Sequence, residues 1–298
     1  MTFSAINYYP QVRFANGQKW LFNPILKKRF AILPEERVRL QYLDFLLHRA
    51  GWNRNRVGFE IPVEFQSGEN KLRADLVLYD EKMLPYALGE CKAPSVKLNE
   101  KTAVQAARYN KEVKAPWLFV INGQSEFWFK KNGNEMEPAN PPLQIPDSAS
   151  GVNRTAEYWV DRGFLSPGTD DPVQENLLLL LNRYWADNSH VKYLQIDPPF
   201  LSFNAGHFYS FHQINEKTTL AFTILDNGIG LTRLLFTANR DRKNSGIALI
   251  NPETNETELF LQSGKKTVNS AETCGIDFSN FTGSDMENMP QLAMNFFD

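Results

Sequence analysis

The sequence is poor in the residues that build disulfide frameworks and zinc sites. Its 298 residues include two cysteines, Cys91 and Cys274, which lie far apart and without the spacing of metal ligands. The four histidines show no metal-ligand spacing either, and we expect them to be structural or surface groups. This scarcity argues against a disulfide framework and a zinc site, and it is typical of a protein from a reducing compartment.

Long hydrophobic runs are also absent. The longest aliphatic run is Leu177–Leu181, whereas a helix needs about 20 apolar residues to cross a bilayer. The segment Met1–Asn7 shows no basic patch followed by an apolar run, so no signal peptide is predicted. The sequence therefore predicts a soluble, cytoplasmic protein that does not bind a membrane.

Two domains are predicted from length and composition. With 42% hydrophobic residues, the chain is long enough for one large core or for two ordinary ones. The segment Pro138–Gly151 is rich in proline and serine, which is typical of a linker. We predict a first domain at residues 1–137, a linker region at 138–171 and a second domain at 172–298.

The two halves of the chain differ in charge. Residues 1–137 carry six more basic than acidic side chains, and residues 138–298 carry eight more acidic than basic ones. A polyanion such as DNA is therefore expected to meet the first half. The alternative is a chance fluctuation of surface charge.

The first domain has the order of elements expected for a mixed sheet flanked by helices. Pro34 begins a helix with two acids in its first turn, which ends near Gly51. Strands follow, then a helix over roughly 99–113, a nearly continuous apolar strand at Pro116–Ile121 and a further alternating strand. This order predicts an α/β fold. Residues 172–298 show one leucine-rich helix and several short strands, which predicts a β-rich α+β domain.

Two acids and a lysine are the clearest candidates for chemistry. Asp75 lies in an alternating strand, and Glu90 and Lys92 lie two residues apart in the next one. Because side chains alternate between the faces of a strand, Glu90 and Lys92 point to one face, where Asp75 can meet them. Two carboxylates and an ammonium on one face favour a shared cation or an anionic substrate, as Mg²⁺-dependent phosphodiester hydrolysis requires.

The order of these residues resembles the PD-(D/E)XK nuclease superfamily. Asp75 and the segment Glu90–Lys92 are followed on the next helix by Gln105–Tyr109. Residues from about 20 to 130, beginning with the lead-in Leu21–Arg39, look like the nuclease domain at the N terminus of type I restriction enzyme R subunits. The resemblance implies a restriction-endonuclease-like fold and a metal-dependent endonuclease that acts on DNA.

The charges of these side chains indicate how the site would work. Asp75 and Glu90 are expected to hold Mg²⁺, or Mn²⁺ in its place, with the Cys91 backbone carbonyl as a third ligand, because hard cations prefer oxygen ligands. The ion polarises the phosphate and lowers the pKa of a bound water. Lys92 is expected to orient that water or to stabilise the charge that builds on the phosphate.

The resemblance adds three residues from the two helices. Glu36, with its neighbour Glu35 as the alternative, matches the helix acid of the family and is expected to join the metal site. Gln105 and Tyr109 lie one turn apart on a helix face. The resemblance implies that they line the site and position the lysine or the DNA.

Each candidate has a structural alternative. Asp75 and Lys92 can be ordinary residues of a solvated sheet face, and Glu36 can complement the helix dipole. Glu60 is interpreted as a surface acid, and the Cys91 thiol as a buried strand residue rather than a nucleophile. The competing function is a catalytically idle module that binds DNA or a partner.

One feature of type I R subunits is missing from the sequence. Their motor requires a Gly-x-x-x-x-Gly-Lys-Ser/Thr loop, and the segment Gly264–Thr267 lacks its first glycine. We therefore expect a free-standing nuclease module, in phage defence, restriction or DNA repair, that does not translocate DNA by itself.

The tail supplies a further expectation about partners. Gln291–Asp298 combines a glutamine, a leucine and hydrophobic residues, as sliding-clamp-binding peptides do, and such peptides bury apolar anchors in a groove. The alternative is a final element packed on the second domain. The expected partners are DNA, the replication sliding clamp and a second copy of the chain in a homodimer.

Overall fold

The computed structural model divides the chain into two compact units. It describes residues 1–63, 72–142, 152–186, 190–196, 201 and 205–298. The first unit comprises Met1–Arg13 and Trp20–Asn153, and the second comprises Phe14–Lys19 and Arg154–Asp298. Described residues of the predicted linker region, 138–171, thus fall in both units, and its residues 143–151 lie outside the described part of the chain.

Part of the predicted linker region is helical. Helix α3, Ala156–Asp161, follows Thr155, whose side chain accepts a hydrogen bond from the Tyr158 backbone N–H. The helix buries Trp159 completely. Residues 156–161 therefore belong to the second unit rather than to a linker, because the cap and the buried tryptophan stabilise a helix there.

Six strands form the sheet of the first unit, in the order β4-β5-β6-β7-β8-β9. Their bounds are β4 Val57–Val63, β5 Leu72–Tyr79, β6 Pro85–Cys91, β7 Trp117–Ile121, β8 Glu126–Asn132 and β9 Glu135–Ala139. Strands β6 and β7 run parallel, and the other neighbouring pairs are antiparallel. The predicted mixed sheet and the α/β fold class are confirmed.

Two helices pack on opposite faces of this sheet. Helix α1, Pro34–His48, has proline in its first turn, and helix α2, Glu100–Val113, begins where the Asn99 side chain accepts from the Thr102 N–H. Phe119 of β7 packs against Tyr42 of α1, while its neighbour Val120 belongs to the core cluster that includes α2. Since neighbouring residues of a strand point to opposite faces, the helices cover both sides.

Gly89 of β6 leaves room for the ring of Phe119 on the neighbouring strand β7. A Cβ atom at this position would lie 2.2 Å from Cζ of Phe119, closer than any side chain tolerates. Phe119 in turn stacks on Trp128 with ring centroids 4.6 Å apart. The residue directly before Glu90 is therefore glycine for a packing reason.

A small sheet precedes α1. It contains the strands β1 Val12–Ala15, β2 Gln18–Asn23 and β3 Lys28–Phe30 in that order. Asn16 and Gly17, between β1 and β2, both have positive φ angles, 52° and 70°, as a tight hairpin turn requires. The chain therefore reverses direction over two residues between β1 and β2.

The second unit is built on an antiparallel meander of seven strands, each paired with its neighbours in sequence. The strands are β10 Val191–Leu194, β11 His207–Asn215, β12 Thr218–Asp226, β13 Thr232–Arg240, β14 Lys243–Ile250, β15 Glu256–Leu261 and β16 Gly264–Asn269. Helix α4, Asp171–Tyr184, buries Leu177, Leu180 and Leu181. Two further helices follow the sheet, α5 Ser270–Cys274 and α6 Gly283–Leu292. The β-rich character predicted for this part of the chain is confirmed.

The tail of the chain belongs to the second unit. After α6, Ala293–Phe296 forms a 3-10 turn in which Met294 and Phe296 are buried. Phe296 contacts the ring of Phe236 on β13, and Phe297 is buried as well. Most apolar anchors of the proposed clamp-binding peptide thus lie in a core, as the structural alternative expects, and a clamp partner stays a prediction.

The helices are short relative to a bilayer. Among the described residues, no helix is long and apolar enough to cross a membrane. The cellular compartment stays a prediction.

Candidate active site

Strands β5 and β6 bring Asp75 and Glu90 to neighbouring positions of the sheet. The two strands pair antiparallel at Leu76 and Gly89, and Asp75 and Glu90 are the next residues along that register. Because directly paired residues of neighbouring strands lie side by side, the two carboxylates occupy adjacent positions. The structure therefore brings these two predicted site residues together.

Lys92 completes a pair with Glu90. Its Nζ atom donates to Glu90 Oε1 at 2.6 Å, and both side chains are largely buried. The Lys92 backbone N–H donates to the Ile121 carbonyl at 2.8 Å, which fixes the chain just past the end of β6. The ammonium is held against the carboxylate by a charge-assisted hydrogen bond.

Both oxygens of Asp75 accept hydrogen bonds. Oδ1 accepts from Nη2 of Arg39 at 2.7 Å, and Oδ2 accepts from the Cys91 backbone N–H at 2.7 Å. Cys91 thus contributes its N–H to the site, whereas a role for its carbonyl stays a prediction. Burial raises the pKa of the Cys91 thiol well above its usual range, which agrees with its interpretation as a buried residue rather than a nucleophile.

Arg39 joins three carboxylates and was not singled out from the sequence. Its guanidinium lies 2.7 Å from Asp75, 3.1 Å from Glu36 and 3.4 Å from Glu60, and its side chain is nearly fully buried. The spacing of three residues from Glu36 places both on one helix face, which is the one sequence feature that could have identified it. Its contacts with Glu60 and Asp75 depend on the tertiary fold.

Glu36 is the helix acid that touches this cluster. It is 7% exposed, its Oε2 pairs with Arg39, and its Oε1 is buried without a hydrogen-bond partner among the described residues. Burial raises the pKa of Glu36, and Arg39 opposes that shift. Glu35 is only half-buried, but its negative charge helps to raise the pKa of Glu90. Glu36 is therefore the residue in direct contact.

Glu60 lies at the rim of the cluster rather than on a separate surface. Its Oε1 accepts from Arg39, and its Oε2 is 3.7 Å from Nη1 of the exposed Arg73. Its φ angle is 49°, an unusual value for a residue with a side chain, which costs about 1–3 kcal/mol. Sequence patterns do not show such a backbone angle, which explains why Glu60 was interpreted as a surface acid.

Burial and mutual repulsion raise the pKa values of the site carboxyls. The pKa of Glu90 rises to about 7, first through burial and then through the negative charge of Asp75, while Lys92 acts in the opposite direction. Burial also raises the pKa of Asp75 against the effects of Arg39 and the Cys91 N–H. Perturbed carboxyls of this kind gather at functional sites, where a cation or a substrate relieves the repulsion.

Gln105 and Tyr109 contact each other on α2. Nε2 of Gln105 donates to Oη of Tyr109 at 3.3 Å, and Gln105 is exposed. Tyr109 also packs on the core cluster of β6 and β7. Their expected role in positioning Lys92 or DNA stays a prediction.

Whether the site can hold a divalent cation depends on which oxygen ligands its side chains supply. Among the described residues, no three His, Cys, Asp or Glu side chains are grouped as an all-protein metal site. Mg²⁺, however, keeps several waters and is commonly bound through one or two carboxylates plus substrate phosphates. Two adjoining sets of ion-paired side chains together contain four carboxylates and two cations: Arg39 with Glu36, Glu60 and Asp75, and Lys92 with Glu90. Their excess of acids and the Glu36 oxygen without a partner among the described residues fit such an ion.

The comparison with protein families bears on the same part of the chain. A family model described as the type I restriction enzyme R protein N terminus matches residues 34–144. This segment resembles the restriction nuclease domain. The match includes α1, the two strands that carry Asp75 and Glu90, and α2, and it ends within the first unit. It points to a restriction-type nuclease role for that unit. A search of curated proteins gave no match to the chain.

Proposed function

We propose that the first unit is a Mg²⁺-dependent endonuclease that hydrolyses phosphodiester bonds of DNA. The observation that carries the proposal is the position of Asp75 beside Glu90 on paired strands, with Lys92 bonded to Glu90, inside a segment that matches the type I restriction enzyme R protein N terminus. Phosphodiester hydrolysis needs oxygen ligands for a hard cation and a positive group near the phosphate. These residues supply both.

Asp75 and Glu90 would hold the ion, with Glu36 beside them. When bound, Mg²⁺ supplies Lewis-acid activation of the phosphate and a water of lowered pKa. Each oxygen of a carboxylate can accept more than one hydrogen bond or ligand, so Asp75 can keep Arg39 and Cys91 while it binds a cation. Mn²⁺ is the alternative ion, because it accepts the same oxygen ligands.

The side chains of the chain have separate tasks in this scheme. Lys92 uses one of its three N–H groups on Glu90 and has others to donate to a phosphate oxygen or the attacking water. Arg39 and the Cys91 N–H fix the orientation of Asp75, which lowers the cost of ordering the site on binding. Glu36 Oε1 remains as an acceptor for water or the ion.

The test is hydrolysis of plasmid and single-stranded DNA with and without Mg²⁺. We expect the wild type to cleave DNA only with the cation, and Lys92→Ala to lower the rate by at least about 100-fold, because a charge-stabilising group is lost. Lys82→Ala is the matched control, since this exposed lysine of the turn between β5 and β6 should leave the rate unchanged. Equal rates for wild type and Lys92→Ala, or no cleavage of any substrate, would rule out the enzyme.

A catalytically idle module that binds DNA or a partner is the second candidate. It is favoured by the engagement of both Asp75 oxygens with protein donors. Such a module would bind DNA with the same affinity in the presence and absence of Mg²⁺ and would leave plasmid and single-stranded DNA intact. The hydrolysis assay therefore separates the two candidates.

We also propose a general pathway and two protein partners for this nuclease. Phage defence, restriction and DNA repair all use such a nuclease, and a homodimer would allow cleavage of both strands. The contact with a sliding clamp makes a separate prediction. It requires the buried side chains of Met294, Phe296 and Phe297 to leave the core of the second unit. Gln291 is exposed, so clamp capture by wild type and Gln291→Ala tests the contact without unfolding the tail. Equal capture of the two proteins would show that Gln291 does not contribute to clamp binding.

A further inference from the structure

An open apolar pocket of about 390 Å³ lies in the first unit, between the start of α2 and strands β7 and β8. Its described lining is almost entirely apolar and includes two aromatic rings: Leu98, Asn99, Ala103, Val120, Phe127 and Phe129. The size falls in the range of pockets that receive small-molecule groups.

The pocket lies on the sheet face that carries Glu90. Val120 is the register partner of Glu90 on one side and of Phe127 on the other. Side chains of directly paired residues point to the same face, so Glu90, Val120 and Phe127 form a row across three strands. With neighbouring strands about 4.8 Å apart, Phe127 lies about 10 Å from Glu90 across the sheet.

Several apolar side chains at or near the pocket are exposed to solvent. Phe127, which lines the pocket, is 43% exposed, and two residues close in sequence to the lining, Val104 and Val96, are 47% and 40% exposed. The neighbours of Phe127 in β8, Glu126 and Trp128, are buried on the other face. Because exposed apolar patches of this kind mark interaction sites, an occupant of matching chemistry is expected.

We propose that the pocket receives an unstacked nucleobase of the DNA strand whose phosphate lies at Asp75, Glu90 and Lys92. The proposal rests on the proposed nuclease function and names its substrate class: single-stranded or locally unpaired DNA. A base has a flat apolar face that stacks on aromatic rings, which Phe127 and Phe129 offer. In a paired duplex the bases are stacked inside and cannot enter a concave wall.

The position of the pocket favours a nucleobase over other apolar groups. Stacked nucleotides are about 3.4 Å apart along one strand, so the distance of about 10 Å between Glu90 and Phe127 is within reach of a nucleotide near the scissile phosphate. The exposed Lys97 lies beside Val96 in the chain, and its charge suits a phosphate backbone.

The lining predicts stacking without base-specific recognition. Oδ1 of Asn99 accepts the Thr102 N–H, and the other described lining residues carry no polar side-chain atoms. Base edges are distinguished by hydrogen bonds, whereas stacking tolerates every base. The enzyme is therefore expected to select unpaired DNA rather than a particular sequence.

The test measures coupling between Phe127 and one base. Fluorescein-labelled single-stranded oligonucleotides with a single abasic site at successive positions are titrated with the full-length protein in EDTA, which prevents metal-dependent hydrolysis. We expect wild type to bind the intact strand about 10-fold or more tightly than the strand lacking the base at one particular position. In Phe127→Ala this difference should vanish, and in Phe127→Trp it should return.

The matched control is Leu84→Ala. Leu84 is also an exposed apolar residue of the first unit, but it precedes β6 at the end opposite Glu90. It should keep the wild-type dependence on the abasic position, and circular dichroism confirms that all variants are folded.

The outcomes separate the pocket from the nuclease activity. An abasic penalty of the same size in wild type and Phe127→Ala, or no penalty at any position, overturns the pocket. Loss of a dimer in Phe127→Ala with unchanged DNA binding overturns it too and assigns the patch to self-association. The expected coupling in a protein that hydrolyses no DNA would support the pocket and refute the proposed hydrolysis.

Discussion

Arg39 is the residue that holds the acidic cluster of the first unit together. Its guanidinium lies between Glu36, Glu60 and Asp75 while its side chain is nearly fully buried. Arginine suits this position because its planar fork offers five donors and keeps its charge at every relevant pH. Without it, Glu36 and Asp75 would each lose their cationic partner in a poorly solvated place.

Replacing Arg39 should therefore destabilise the first unit. In EDTA we expect Arg39→Met to lower the free energy of unfolding by about 3–5 kcal/mol, because carboxylates remain buried without a partner. The free energy of unfolding of Arg39→Lys should lie between those of Arg39→Met and wild type, since lysine keeps the positive charge but lacks the forked guanidinium group. Urea unfolding followed by tryptophan fluorescence measures both.

Arg73→Met is the comparison for that experiment. Arg73 also approaches Glu60, but it is mostly exposed, so its loss should cost less than about 1 kcal/mol. An unfolding free energy of Arg39→Met that equals that of Arg73→Met would show that the cluster does not depend on Arg39.

The strand residues of the site follow from local patterns, whereas the residues that support them do not. Alternation along β6 is enough to place Glu90 and Lys92 on one face, and the pairing of β5 with β6 brings Asp75 beside Glu90. Arg39 and Glu60 become part of the site only when α1 and β4 meet β5, and Glu60 does so at a positive φ angle. Contacts between distant segments leave no short-range pattern in the sequence.

At the scale of elements, β8 fastens the N-terminal segment to the sheet. The buried Glu126 accepts from the Ser4 N–H at 2.9 Å, from Tyr42 Oη at 3.1 Å and from Trp128 Nε1 at 2.5 Å. The backbone of Phe3 also donates to the Gln124 carbonyl. One carboxylate thereby links the N-terminal segment, α1 and β8.

Glu126→Gln should loosen this link. The amide of glutamine can supply one acceptor oxygen, but its NH₂ group would face a donor in place of the second oxygen. We expect a loss of about 1–3 kcal/mol, and faster hydrogen exchange of the segment around Ser4. Glu135→Gln, at an exposed position of β9, is the control. Unchanged exchange around Ser4 in Glu126→Gln would contradict the role of Glu126.

The elements of the tail show where a sequence pattern was ambiguous. Leucine, methionine and phenylalanine at the end of a chain suit a groove on a partner and a core equally well. The structure buries Met294, Phe296 and Phe297 in the second unit. The strands of that unit were predicted more easily, because each pairs with its neighbour in sequence through a short turn.

At the scale of the whole molecule, the two units should respond differently to acid. His212 of the second unit lies between the rings of Tyr184 and Phe222, and its Nε2 is 2.9 Å from Ser210 Oγ. Burial, and then the charge of His190, lowers the pKa of His212 to about 4. Burial lowers the pKa of His207 as well.

These histidines should make the second unit less stable as the pH falls. A histidine of the unfolded chain binds its proton near pH 6.5, whereas folded His212 stays neutral down to about pH 4, so acidification in this window favours the unfolded state. We expect a loss on the order of 1–3 kcal/mol from His212, seen as faster hydrogen exchange of β11 and β12 at pH 5 after correction for intrinsic rates.

His212→Gln provides the control for the acid effect. Glutamine carries no titrating group, so the pH dependence of exchange in β11 and β12 should become weaker, with the part due to His207 remaining. An unchanged pH dependence in this variant would show that His212 does not cause it.

The central claim is that the first unit hydrolyses DNA through its carboxylates, and cleavage of plasmid and single-stranded DNA by Glu90→Gln at saturating Mg²⁺ tests it most directly. Glu81→Gln, at a glutamate whose side chain is 91% exposed, is the matched control. The account predicts wild-type cleavage for Glu81→Gln and a rate at least about 100-fold lower for Glu90→Gln, because a charged ligand is lost. Cleavage by Glu90→Gln at the wild-type rate would contradict it.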